Sequence, residues 1–143
     1  MQPIFGYPGG KSRAFKRIVE ILNLDLSKYD RLVEPFCGGC AFTLASGHPK
    51  PWINDMDADL YCLWVAVVNH PLALCNAVRD VVIKSDDFYS LRKKLLKKRD
   101  PPTSQQAIVS RALDKLLIHK ISFSNMGEKS GSPVGGKDQT GKW

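Results

Sequence analysis

The segment LVEPFCGGCAFTLA, residues 32–45, constrains the fold more than any other. A short apolar run, centred on Leu32 and Val33, stops at Gly38-Gly39, and a helix-forming run, CAFTLAS, follows. Glycine lets a turn take unusual dihedrals and lets another group approach the backbone closely. The same order, strand then breaker then helix, recurs at once. Gly47, Pro49 and Pro51 end the CAFTLAS helix, PWIND reads as a second short strand, and ADLYCLWVAVVNH reads as a helix capped by Asp55 or Asp57. That helix is apolar nearly all round, which predicts burial.

The rest of the chain reads as helices. SRAFKRIVEILNL carries Phe15, Ile18, Val19 and Leu22 at helical spacing, with Ser12 as its cap. PLALCNAVRDVVI starts at Pro71, a favourable first-turn position. SDDFYSLRKKLLKKR is amphipathic, with Phe88, Leu91, Leu95 and Leu96 on one side. DPPTS breaks the chain, and QQAIVSRALDKLLIHKISF is another amphipathic helix. From Ser124 onwards the sequence is rich in Gly, Ser and Lys, with almost nothing to bury, so disorder is expected there. Strand alternating with helix predicts an α/β fold with parallel strands. Only two strands are evident, so the fold class expected is the first part of a doubly wound domain with a helical insertion.

The chain has 143 residues, 43% hydrophobic and 24% charged, which suits one soluble globular domain. Its net charge of +7 favours a polyanionic partner. The longest unbroken apolar run, Leu63 to Val68, is far too short to span a bilayer, and no membrane partner is expected. The opening MQPIFGYPGGKS does not resemble a signal peptide, and four cysteines without one point to reduced thiols in a cytoplasm.

Cys37 and Cys40 flank the glycines, and three readings follow. A thiol redox motif suits a strand-to-helix corner, where a helix N-terminus lowers a thiol pKa. Yet no other part of the chain supplies the strands of a thioredoxin-like sheet. Two cysteines are half a zinc site, and Cys62 and Cys75 make no second close pair. No metal is therefore expected. The third reading is a cofactor corner, with a carboxylate after the next strand to accept from ribose hydroxyls. Asp55 stands seventeen residues after Gly38, near the usual interval of about 20. The blander alternative is a tight turn at the glycines and a helix cap at Asp55; the two features together favour the cofactor corner. The NAD fingerprint G-x-G-x-x-G is absent, and GYPGGKS falls short of a P-loop because Phe5 stands where glycine is needed.

YPGGKSR, VEPFCGGCAF and INDMDADLY, in this order and spacing, resemble three blocks of the Dam-type DNA adenine methyltransferases. LIHKISFSNMGEKSG resembles the start of that family's DNA-reading insertion. The resemblance implies a Rossmann-like domain, S-adenosylmethionine as cofactor and double-stranded DNA as partner. It implies that residues 1–83 form the cofactor-binding part, and that 84–143 form a helical segment and the start of the DNA-recognition insertion. Tyr7 and Lys11 would contact the cofactor, Glu34, Phe36, Gly38 and Gly39 would shape its pocket, and Asp55 would hold the ribose. An aromatic ring suits a sulfonium cation, and Lys11 suits a carboxylate.

The chain departs from the family at several points. A small residue, mostly glycine, is usual where Cys40 stands. Asn-Arg is common at His119-Lys120, and glycine at Asn125. The family's catalytic Asp-Pro-Pro-Tyr ends a later strand, after the DNA-reading segment. Here DPPT, Asp100 to Thr103, precedes that segment, and Thr103 cannot stack on a base, so it reads as a helix breaker. No catalytic residue is assigned, and the motif is expected beyond residue 143. The expected function is adenine methylation in DNA, with this chain alone inactive. The alternatives are a catalytically inert nucleoside- or DNA-binding remnant of the fold and, more distantly, a CGGC thiol redox protein. The run RKKLLKKR reads first as a solvated helix face and second as a DNA contact.

Overall fold

The computed structural model describes residues 4–11, 13–84, 86–97 and 99–135. It divides into two compact units, Met1–Met56 and Asp57–Trp143. The architecture is mixed α/β and mostly helical, with one two-stranded parallel sheet among the described residues.

The first unit runs α1 (Phe15–Ile21), a 3-10 turn (Leu26–Lys28), β1 (Leu32–Glu34), α2 (Ala41–Ser46) and β2 (Pro51–Ile53). Parallel strands need a crossover, and α2 provides it. The register pairs Leu32 with Pro51, Val33 with Trp52 and Glu34 with Ile53. Helix α1 is shorter than its apolar spacing predicts. Asn23 takes a left-handed φ of 47°. Its amide then donates to the Glu20 carbonyl at 3.1 Å and the Leu24 amide to the Val19 carbonyl at 3.0 Å, a Schellman closure that stops the helix. The helix opens at Ala14 without a side-chain cap. Ser12, the expected cap, lies outside the described residues. Phe15 packs edge-on against Phe42 of α2, with ring centroids 5.0 Å apart.

The second unit contains α3 (Ala58–Asn69), α4 (Pro71–Arg79), α5 (Asp87–Leu95) and α6 (Gln105–Ile121), then 3-10 turns at Phe123–Asn125 and Gly127–Lys129. Of the two candidate caps for α3, Asp57 does the work: its Oδ1 accepts from the Asp59 and Leu60 amides at 2.9 and 3.2 Å. Leu60, Cys62, Leu63, Trp64 and Ala66 of α3 are buried, but Tyr61 and Val68 are exposed, so burial nearly all round is not observed. Helix α4 meets α3 at a 110° bend. It ends at Arg79, leaving Val81, Val82 and Ile83 irregular rather than helical. Three successive β-branched residues lose χ1 freedom in a helix, which favours that early end. Ser104 caps α6 through the Ala107 amide. Phe88, Leu91 and Leu95 of α5 form a core with Ile118 and Ile121 of α6. Leu96, expected on the same face, falls at the helix end and is exposed. Among the described residues no single helix is long and apolar enough to cross a membrane.

Residues 124–135 correct the expectation of an unstructured tail. The Phe123 amide donates to the Ser132 carbonyl at 3.1 Å and the Val134 amide to the Ile121 carbonyl at 2.8 Å. Ser122 and Pro133 form an antiparallel bridge. Gly127, Ser130 and Pro133 are buried. The remainder of the expected tail, 136–143, lies outside the described residues.

Charged side chains tie this unit together. Lys115, 2% exposed, lies 2.6 Å from Asp57 and 2.9 Å from Glu128. Arg111 lies 2.5 Å from Asp59. Burial pulls the Lys115 ammonium down, but Asp57 and Glu128 outweigh it and its pKa is raised. His119 is buried, and its Nδ1 lies 2.8 Å from the Asn125 carbonyl. Burial is the main reason its pKa is lowered. A Cβ added to Gly127 would stand 2.8 Å from that ring, so His119 is part of the packing beneath the 122–134 loop.

Candidate cofactor site

Beyond the strands proper, the exits of β1 and β2 are laced together. The Asn54 amide donates to the Glu34 carbonyl at 3.0 Å, and the Cys37 amide donates to the Asn54 carbonyl at 2.9 Å. Asn54 Nδ2 reaches the Pro35 carbonyl at 3.2 Å. The chain then turns at Gly38, whose φ is 49°. The Gly38 amide donates to Asp55 Oδ2 at 2.8 Å. A carboxylate that follows one strand therefore holds the glycine turn that follows the other. Glu34, the last residue of β1, is directed at α2: its Oε2 accepts from the Thr43 amide at 3.2 Å and from the Thr43 hydroxyl at 2.5 Å. That is a capping contact on a first-turn amide, supplied from a neighbouring strand, and its negative charge suits the helix N-terminus.

The opening loop lies on this turn. A Cβ at Gly38 would stand 2.5 Å from Tyr7 Cε1, and one at Gly39 would stand 2.8 Å from Tyr7 Cβ. Both positions need glycine, and the group that approaches the backbone there is the Tyr7 side chain. Phe5 meets the Tyr7 ring edge-on at 6.1 Å. The Gly10 amide closes a turn on the Tyr7 carbonyl at 3.1 Å.

The structure thus brings Tyr7, Gly38, Gly39 and Asp55 into one contact group, with Glu34 anchoring the adjacent helix. Phe36 belongs to the same turn and is 72% exposed. Lys11 is exposed and forms no ion pair among the described residues. Asn54 and Thr43, which fix the strand exits and α2, were not singled out from sequence. Their side chains carry no distinguishing pattern, and only pairing geometry reveals them.

The two cysteines differ from expectation. Both are buried and unbridged, Cys40 at 1% exposure. The position of Cys40 before a helix predicts a depressed pKa, but the thiol is pushed well up. The cause is first its hydrogen bond with Cys37, then burial, then the negative charges of Glu34 and Asp55. A thiol held protonated and out of solvent is a poor nucleophile, which counts against a redox role. Cys40 also holds a left-handed φ of 49°, a conformation that favours glycine. Among the described residues no three His, Cys, Asp or Glu side chains gather as a metal site.

In the second unit, Asp100–Thr103 lie in the irregular connection between α5 and α6, where the Asp100 carbonyl accepts from Arg111 at 2.5 Å. Three cations of the basic run are engaged internally, while Lys93 and Lys97 are exposed. Arg92 donates to the Glu128 carbonyl at 2.9 Å, Lys94 pairs with Asp114 at 2.5 Å, and Arg99 lies 3.6 Å from Asp59.

The D12 class N6 adenine-specific DNA methyltransferases match the chain over residues 7–131. The chain belongs to this family. The match begins at Tyr7 and takes in every residue of the glycine turn, its anchors and the 122–131 segment. The family uses S-adenosylmethionine generally and has DNA as its substrate. No curated protein matches the chain.

Proposed function

We propose that residues 1–83 form the S-adenosylmethionine-binding part of a doubly wound, Rossmann-like methyltransferase domain. Residues 84–143 would form a helical segment and the start of its DNA-recognition insertion. The observation that carries this reading is the Gly38 amide held by Asp55 beneath the Tyr7 side chain. The residues present fit the cofactor by their chemistry. A carboxylate offers about four lone-pair sites, which suits Asp55 both to holding the turn and to accepting from ribose hydroxyls. Tyr7 and Phe36 offer aromatic faces to an adenine ring or a cation. Lys11, exposed four residues after Tyr7, offers a charge for the methionine carboxylate. When bound, the cofactor would supply an electrophilic methyl group on a sulfonium, leaving as the thioether S-adenosylhomocysteine when the exocyclic amino nitrogen of adenine takes the methyl and gives up a proton.

A second reading is a catalytically inert nucleoside- or DNA-binding form. It rests on the lack of a catalytic group at DPPT, where the Asp100 carbonyl is engaged by Arg111 and Thr103 has no ring to stack on a base. Titration calorimetry with S-adenosylmethionine tests the cofactor reading, and absence of binding at millimolar ligand refutes it. Labelled methyl transfer to duplex DNA separates the two forms. No transfer is expected from this chain alone. If transfer occurs and Asp100→Ala abolishes it, DPPT is catalytic after all.

A further inference from the structure

The basic run at the end of α5 is the obvious sequence candidate for a DNA surface, and Arg92, Lys94 and Arg99 of it are already engaged within the protein. A second set of cations lies in the first unit, and it is differently placed. Arg13, Lys16 and Arg17 are all exposed and lie within five residues, Arg13 in the turn that leads into α1 and Lys16 and Arg17 in its first turn. On α1, Phe15 packs on Phe42 and Ile18 and Val19 are half-buried, while Ile21 is exposed. The ion pairs of this unit among the described residues are Lys28–Asp25 and Lys50–Asp30, and neither involves these three cations. Glu20, the one acid on α1, is exposed and pairs with none of them. Side chains that fold back on no carboxylate keep their full field for an outside polyanion. The patch also begins only six residues after Tyr7, the residue seated on the glycine turn.

We propose that Arg13, Lys16 and Arg17 form a docking surface for the phosphate backbone of duplex DNA, next to the cofactor corner. The occupant follows from charge complementarity: three exposed cations within five residues suit a polyanionic backbone, and phosphate contacts position a duplex without reading its sequence. The inference rests on the reading of the chain as one that works on DNA.

The test is fluorescence anisotropy of the full chain with a labelled duplex of about 20 base pairs and arbitrary sequence, between 50 and 200 mM salt. Wild type is compared with Arg13→Gln/Lys16→Gln/Arg17→Gln and with Lys84→Gln/Lys93→Gln/Lys97→Gln, which removes three exposed charges elsewhere. Three lost phosphate contacts lower the log–log salt slope by about 2.7, so the same rise in salt costs the α1 variant about 40-fold less affinity than wild type. The other triple variant keeps the wild-type slope. Equal slopes in wild type and the α1 variant overturn the proposal, as does an equal drop in both variants, which reports net charge alone. Binding to phosphatidylserine vesicles but not to the duplex also overturns it. S-adenosylmethionine binding is measured on the same samples. Cofactor binding with no DNA binding at 50 mM salt refutes the surface and spares the cofactor reading; the reverse pattern does the opposite.

Discussion

The backbone amide of Gly38 and the carboxylate of Asp55 meet at 2.8 Å, across the exits of two parallel strands. Asp55 therefore has a structural duty that exists before any ligand arrives. Substitution there confounds two effects unless they are separated by chemistry.

Asp55→Asn separates them, because an amide oxygen still accepts from the Gly38 amide while the charge is lost. It is expected to fold as wild type and to weaken S-adenosylmethionine binding by about 1–3 kcal/mol. Asp55→Ala should weaken binding similarly and also lower stability by about 1–3 kcal/mol, since a part-buried amide loses its acceptor. Calorimetry and urea denaturation read the two quantities. Unchanged affinity in both variants removes Asp55 from the cofactor site.

Gly38→Ala combines two penalties. The left-handed backbone costs a residue with a Cβ roughly 1–2 kcal/mol, and the new methyl would stand 2.5 Å from the Tyr7 ring. Tyr7→Ala relieves the second penalty and leaves the first. A double-mutant cycle should show the Gly38→Ala cost shrinking, without vanishing, in the Tyr7→Ala background. Additive costs would mean that Tyr7 does not occupy this space in solution.

Much of the first unit could be read from sequence because its punctuation is strong. Gly38-Gly39, Gly47, Pro49 and Pro51 bracket β1, α2 and β2, and each element lies where those breakers put it. What filled the space above the glycines could not be read, since a tyrosine from the opening loop leaves no periodic signal. The length of α1 was missed because Asn23 ends it by local backbone geometry while apolar spacing continues to Leu22. The segment after Ser124 was missed for another reason. Counting large apolar side chains overlooks burial by Gly127, Ser130 and Pro133. It also overlooks a buried ion pair between Lys115 and Glu128, which pattern alone does not connect.

Thiol chemistry distinguishes the turn from a redox site. Of the four cysteines only Cys75 is exposed. Native chain at neutral pH is expected to react with a thiol reagent at one position, and unfolded chain at four. Cys40→Gly exchanges left-handed strain of roughly 1–2 kcal/mol for the loss of a small buried side chain, so stability should change little and cofactor binding should persist. Rapid labelling of native Cys40, or a Cys37–Cys40 disulfide under reducing conditions, would refute an inert turn.

The charge ladder of the second unit sets its pH limits. His119 has a folded pKa below its usual 6.5. As pH falls below that value the unfolded chain takes up a proton there and the folded chain does not, so stability declines until the lower folded pKa is reached. Asp57 is also held below its usual 3.8: burial pushes it up, but Lys115 and the Leu60 and Asp59 amides outweigh that. Its contribution is therefore complete above 3.8 and is lost as pH falls from there through its lower folded value. Lys115 works in the opposite direction. Its pKa is raised above 10.5, so its contribution holds below that pH and is lost only as pH climbs through the raised value. Urea denaturation across pH should therefore show an acid limb that begins near neutrality and loses its first part in His119→Gln. Lys115→Met leaves two carboxylates facing each other without their cation, and should cost about 3–5 kcal/mol at neutral pH. Acid should recover part of that loss, because protonating Asp57 removes part of the uncompensated charge. A Lys115→Met protein as stable as wild type, or one that acid only weakens further, would show that the lysine does not hold the 122–134 loop against α3 and α6.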